Sequence, residues 1–144
     1  MNSETLRADN WNYLFAAMLV ALFSSLAVLF IGEVLGQAPC NLCWFQRAFM
    51  FPLAIVLAVG AFLSDSHVWR YALPLAIGGL LVAGFHSLVY SGLVAEAIQP
   101  CSATGPSCSG DSMAIFGWLP LPVLSFGAFG LITALLVSTI RRQQ

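Results

Sequence analysis

The amino-acid sequence predicts an all-α membrane protein: a four-transmembrane-helix bundle, one domain over residues 1–144, with both termini cytoplasmic. Three observations carry this expectation. The 144-residue chain is 60% hydrophobic and only 8% charged, against about 25% charged residues in a soluble domain, so it lacks the polar surface that water requires. Four apolar runs each approach the ~20 residues that hydrocarbon demands of a spanning helix. The arginines fall almost entirely on one side of those runs, the bias that orients membrane proteins.

The first run, 13–35, carries a single charge, Glu33, close to its outer end. Residues 1–11 before it are of mixed charge, and the run is too long for a signal-peptide core and lacks a small-residue cleavage site, so it is expected to stay as a span. The second run, 44–63, is interrupted early by Gln46 and Arg47, and the third, 71–94, holds one ionisable residue, His86. The fourth, 121–140, is uncharged. Backbone amides and carbonyls in lipid must be satisfied within their own segment, so these runs should be helices. Gly78, Gly79, Gly84, Gly127 and Gly130 are expected to let helices approach closely. The connections are 36–43, 64–70 and a long one, 95–120, in which Met113 to Pro120 reads as a segment lying on the membrane surface, with Phe116 and Trp118 at the interface.

Four spans put both termini and the 64–70 connection on one side. That side holds Arg7, Arg70, Arg141 and Arg142, while the other holds only Arg47. The positive-inside rule makes the arginine-rich side cytoplasmic. Connections 36–43 and 95–120, with all four cysteines, then face the outer compartment, where disulfides persist. The net charge of −1 and the absence of lysine exclude a nucleic-acid binder, which needs clustered cations to neutralise phosphates.

Cys40-Asn41-Leu42-Cys43 is the sharpest local signal. A C-x-x-C pair at the start of a helix can form a strained ring that exchanges readily, and the amide dipoles there favour a thiolate. Half of a metal site and a structural disulfide are the alternatives. Arg47, one helical turn after Cys43, shares its face. A guanidinium costs roughly 2.5–3.5 kcal/mol at a bilayer centre and less near the edge, which points to stabilisation of a thiolate or of a reduced, negatively charged cofactor. The bland reading is an arginine snorkelling to head groups. Gln46 can add a hydrogen bond or simply solvate the helix end. Cys101 and Cys108 lie among Ser, Gly and Pro. A bridge there would constrain the unfolded chain by about 2.5 kcal/mol, as a staple or as an exposed disulfide open to exchange. His86 is a functional candidate because it is ionisable within a span, or else an inter-helix hydrogen-bonding group. Glu33 reads as an interface residue.

The stretch from Pro39 to Arg47, with Cys40-Asn-Leu-Cys43 followed by Gln46-Arg47, resembles the signature of the DsbB/BdbC-type disulfide bond formation proteins. The stretches Pro100-Cys101 to Pro106-Ser-Cys108-Ser-Gly and Phe116-Gly-Trp-Leu-Pro-Leu-Pro are similar to the short, BdbC-like branch, and the resemblance covers nearly the whole chain. It implies a membrane thiol–disulfide oxidoreductase of the bacterial cytoplasmic membrane that reoxidises an extracytoplasmic thioredoxin-fold oxidase (DsbA/BdbD-like) and passes electrons to a quinone, ubiquinone or menaquinone. By the same resemblance Cys40 and Cys43 are the quinone-coupled pair, Arg47 the quinone-side arginine, and Cys101 and Cys108 the partner-facing pair. His86, with Gln46, is placed near the cofactor.

In the expected cycle the partner's thiolate attacks Cys101, electrons pass to Cys40–Cys43 by exchange, and Cys43 donates to the quinone; no metal is required. Two other readings are a relative of the vitamin K epoxide reductases and a non-enzymatic membrane protein binding metal through thiolates. The first places its active pair late in the chain. The second lacks a further His or Cys cluster in the sequence, and Arg47 discourages a cation.

Overall fold

The computed structural model describes residues 3–65, 67–94, 114–115 and 119–143. Its elements are α1 (Ser3–Leu29), continued by a π turn (Phe30–Val34), α2 (Asn41–Phe62), α3 (Trp69–Tyr90), the short strands β1 (Ala114–Ile115) and β2 (Leu119–Pro120), and α4 (Leu121–Gln143). All four helices are long and apolar enough to cross a membrane. They form a ring in which α1 packs on α2 and α4, and α3 packs on α2 and α4.

The surface follows from the solvent. Phe23, Ile55, Phe62, Leu81 and Val123 stand exposed, an arrangement that would cost a soluble protein dearly but is neutral against lipid tails. The interior is built of small and aliphatic side chains, with Ala17, Ala21, Leu53, Leu57, Ala72, Ala76, Ala83, Phe129, Ile132 and Leu136 in one cluster.

Three helix ends depart from the expected boundaries. The first helix begins at Ser3 rather than 13. α2 starts at Asn41, so Cys43 lies in its first turn and not in the connection, because the Cys40 sulfur caps the helix. α3 stops at Tyr90, four residues short, because Gly92 takes a left-handed φ of 75°. Its amide bonds the Val89 carbonyl, and the Leu93 amide bonds the Leu88 carbonyl, the paired closing bonds that end a helix at glycine.

Of the glycines expected at helix contacts, Gly78 and Gly79 are required. A Cβ on Gly78 would come within 2.7 Å of Phe49, and one on Gly79 would overlap the Phe129 ring. A Cβ on Gly84 would press on Phe126 at 3.3 Å, one on Gly130 would make only ordinary contact, and one on Gly127 would meet open space. Gly127 therefore does not serve helix approach; it lies on α4 away from neighbouring atoms. Within the segment expected to lie on the surface, the described residues pair as a minimal antiparallel ladder, Ala114 with Pro120 and Ile115 with Leu119. Phe116 and Trp118 lie outside the described residues.

The termini share one end of the bundle. Arg142 Nη2 donates to the Tyr13 hydroxyl at 3.1 Å, and Trp11 Nε1 donates to the Ala61 carbonyl at the end of α2. The opposite end, where α1 passes into α2 and where α3 ends, carries the candidate site.

Candidate functional site

The N-terminus of α2 organises the site. The first amides of a helix have no intrahelical acceptor. Cys40 occupies the capping position with extended backbone, φ −70° and ψ 168°. Its Sγ accepts the Cys43 amide at 3.2 Å. The Cys43 Sγ stands 2.8 Å away, close enough for the two sulfurs to exchange a bond. Cys40 is 1% exposed and packs among Leu42 and Val89. Its thiol is lowered from the usual 9.0 to about 5. The Cys43 thiol hydrogen-bonded to it is the first cause, with smaller contributions in the same direction from His86 and the Cys43 amide; burial acts the other way. The Cys43 thiol, with His86 and the helix amide, thus favours a thiolate on Cys40.

His86 reaches this pair from α3. It is wholly buried, with Nε2 3.8 Å from Cys40 Sγ and Nδ1 3.0 Å from the Gln46 side-chain amide. Gln46 is itself buried. His86 is thus an inter-helix hydrogen-bonding group, bonded to Gln46 of α2, and its other ring nitrogen lies beside the Cys40 sulfur.

A cavity of about 370 Å³ opens beside the pair. Val28 and Ile31 of the α1 end, Pro39 of the connection, Met50 of α2, and Leu124 and Phe129 of α4 supply apolar walls. Cys43, Gln46, Arg47 and His86 bring polar atoms to it. Cys43 faces the cavity, and Cys40 lies behind it.

Arg47 is held on three sides. Its Nη2 donates to the Val28 carbonyl at 3.0 Å, its guanidinium lies over the Trp44 ring at 5.4 Å, and a Cβ on Gly32 would sit 3.1 Å from Nη2. Where an α-helical ladder passes into a π turn, the regular pairing of carbonyls with amides is interrupted. Val28 lies at that switch, two residues before Phe30. Arg47 is thus tied to α1, a helix other than its own.

Five of the seven residues selected from the sequence, Cys40, Cys43, Gln46, Arg47 and His86, come together here. Cys101 and Cys108 lie outside the described residues. Sequence reasoning missed Val28 and Gly32, which fix Arg47; a lone glycine near the end of an apolar run was the only signal. Glu33 is exposed in the π turn, in keeping with an interface residue.

The chain resembles known proteins over most of its length. Residues 10–139 match the family described as disulfide bond formation protein DsbB. A probable disulfide formation protein of Metapseudomonas resinovorans is 59% identical over 133 residues, 92% of each chain. The disulfide bond formation protein C of Bacillus subtilis is 38% identical over 120 residues, covering 83% of this chain and 86% of that one. A probable disulfide formation protein of Deinococcus radiodurans is 41% identical over 131 residues, 85% of each. No solved structure gives a significant match.

Proposed function

The chain belongs to the DsbB family of disulfide bond formation proteins, and from that premise we propose that it oxidises an extracytoplasmic thioredoxin-fold dithiol protein and delivers the electrons to a membrane quinone. The observation that carries the reading is the position of Cys43. It opens into a largely apolar cavity beside Arg47, while its partner Cys40 is buried behind it against His86.

The cavity suits a quinone by the chemistry of its walls: apolar surface for a ring and tail, with Arg47, Gln46 and His86 as hydrogen-bonding groups for ring oxygens. A bound quinone accepts two electrons and two protons. Every other step belongs to the chain. A thiolate of the reduced partner attacks Cys101 in a Cys101–Cys108 disulfide, forming a mixed disulfide and releasing the Cys108 thiolate. The partner's second thiol closes the partner's disulfide and leaves the loop pair reduced. That pair attacks the Cys40–Cys43 disulfide, which is reduced as the loop pair is reoxidised. Re-forming the Cys40–Cys43 bond releases the two electrons and two protons that a bound quinone would take up, and Cys40, as the stabilised thiolate, is suited to make that bond to Cys43, whose sulfur stands on the cavity side. His86 Nε2 is placed to hold and move the proton of Cys40, and Arg47 supplies fixed positive charge where negative charge develops. The arginine bias supports an orientation with the cysteine end outside the cytoplasm, and the bacterial inner membrane is the location this reading requires.

The test is the redox state of each pair in membranes with and without added quinone. Quinone should drive Cys40–Cys43 to the disulfide, and Cys43→Ser should abolish quinone reduction while the loop pair still exchanges with its partner. Cys108→Ser should trap a mixed disulfide at Cys101. Normal partner oxidation by Cys101→Ser and Cys108→Ser variants would reduce the loop pair to a staple and overturn this scheme.

A further inference from the structure

The sequence offered only two thiols in one place, too few for a metal site. The fold supplies a third ligand. Cys40 Sγ, Cys43 Sγ and a ring nitrogen of His86 all lie within 4.8 Å of one another. We propose that the reduced Cys40–Cys43 pair and His86 form a three-coordinate site for Cu(I), so that a soft metal ion competes with disulfide formation for the same two sulfurs.

The ligand set fits the ion. Thiolates select soft ions such as Cu(I), and imidazole suits copper as well. Metal bonds of about 2.0–2.3 Å to nitrogen and sulfur place ligand atoms roughly 3.5–4 Å apart. Cys40 Sγ and His86 Nε2 already stand 3.8 Å apart. The two sulfurs, at 2.8 Å, must open by roughly one ångström on the same bond-length argument, which rotation of the partly exposed Cys43 side chain allows.

The residues behind the ligands fit too. A metal-bound histidine nearly always donates its other ring N–H to an acceptor that fixes its tautomer. His86 Nδ1 faces the Gln46 amide at 3.0 Å. With that amide turned so that Oε1 accepts from Nδ1–H, Nε2 carries its lone pair toward Cys40.

Charge, which argued against a bare cation near Arg47, favours this complex. Binding converts two thiols and one Cu(I) into a dithiolate complex of net charge −1 and releases two protons; no electron moves. Arg47, on the same cavity, and the amides at the start of α2 offset that negative charge. A divalent ion would give a neutral complex and gain nothing from either. The oxidised pair offers no thiolate and should not bind. The site itself is independent of the proposed function; only the consequence, a block of quinone reduction by copper, rests on that reading.

The experiment uses the full chain in detergent with Cys101→Ser and Cys108→Ser, reduced and kept without oxygen, and titrated with Cu(I) against a coloured Cu(I) chelator. The expected result is one equivalent withdrawn from the chelator by the reduced protein and none by the oxidised protein. X-ray absorption of the copper complex should show two sulfur neighbours and one nitrogen. His86→Ala and His86→Gln should each weaken binding at least tenfold. Retention of all copper by the chelator, a two-sulfur spectrum, or unchanged affinity in a histidine variant of native helical content would overturn the site. Neither quinone nor partner enters the measurement, so its failure is separate from any failure of the electron-transfer reading.

Discussion

Arg47→Gln tests the reading of the cavity most directly. The residue stands one turn after Cys43, and side chains four residues apart on a helix are separated by about 5–6 Å at Cβ. A positive charge roughly 6 Å from a developing negative charge is worth about 2.8 kcal/mol at an effective dielectric of ~20. A cavity that admits water or head groups screens part of this, leaving about 1.4–2.8 kcal/mol, a factor of roughly 10 to 100 in rate. Arg47→Gln should therefore lower kcat/KM for quinone by about 10- to 100-fold. Arg47→Lys should recover only part of it, since an ammonium lacks the planar fork that bonds the Val28 carbonyl while lying over Trp44. Gly32→Ala keeps the charge but crowds Nη2, and its loss should be smaller than that of Arg47→Gln. The assay is steady-state quinone reduction by purified variants at several quinone concentrations, beside single-turnover exchange with the protein partner, which should change little. Loss of the Val28 bond also costs stability, about 1.5–3 kcal/mol for a hydrogen bond to a charged group. If Arg47→Gln reduced quinone at the normal rate and lost only thermal stability, the arginine would be a structural tie and its functional assignment would be refuted.

Three further outcomes follow from the geometry. In reduced protein freed of metal by a chelator, the ultraviolet absorbance of the Cys40 thiolate should appear with a midpoint near pH 5, and His86→Ala should move that midpoint upward. Because this thiol is lowered on folding from 9.0, its stabilising contribution is complete above about pH 9 and is lost as pH falls through about 5; a midpoint at the usual thiol value would refute stabilisation of the thiolate by the Cys43 thiol and His86. Gly79→Ala, which drives a methyl into the Phe129 ring, should destabilise the bundle by about 1–3 kcal/mol, whereas Gly127→Ala, in open space, should be close to neutral; thermal unfolding in detergent compares them. A membrane-impermeant thiol reagent should reach Cys101 and Cys108, after reduction, only from the side opposite the termini, and labelling from the cytoplasm would reverse the assigned orientation.

The amino-acid sequence by itself determined the four helices, because in hydrocarbon only an uninterrupted apolar run with internally satisfied backbone is stable. It also determined the relation of Cys43 to Arg47, since the helical repeat places residues four apart on one face whatever the tertiary fold. The capping role of Cys40 was half visible: C-x-x-C at a helix start showed that some sulfur would meet the free amides, while the register of α2 decided that the sulfur was Cys40 and that Cys43 faced the cavity. His86 stands out in the sequence as ionisable within a span, but its meeting with Cys40 could not be read from local periodicity. It lies 46 residues from Cys40, and its approach depends on how α3 packs against α2. Among lipid-facing helices that packing is set by close contact of small residues such as Gly78 and Gly79 with Phe49 and Phe129 rather than by a hydrophobic stripe. The anchoring of Arg47 was equally a tertiary matter, since a π turn in one helix had to present a carbonyl to a guanidinium on another. Local periodicity determines which residues share a helix face, but only the packing of the four helices decides what each face meets.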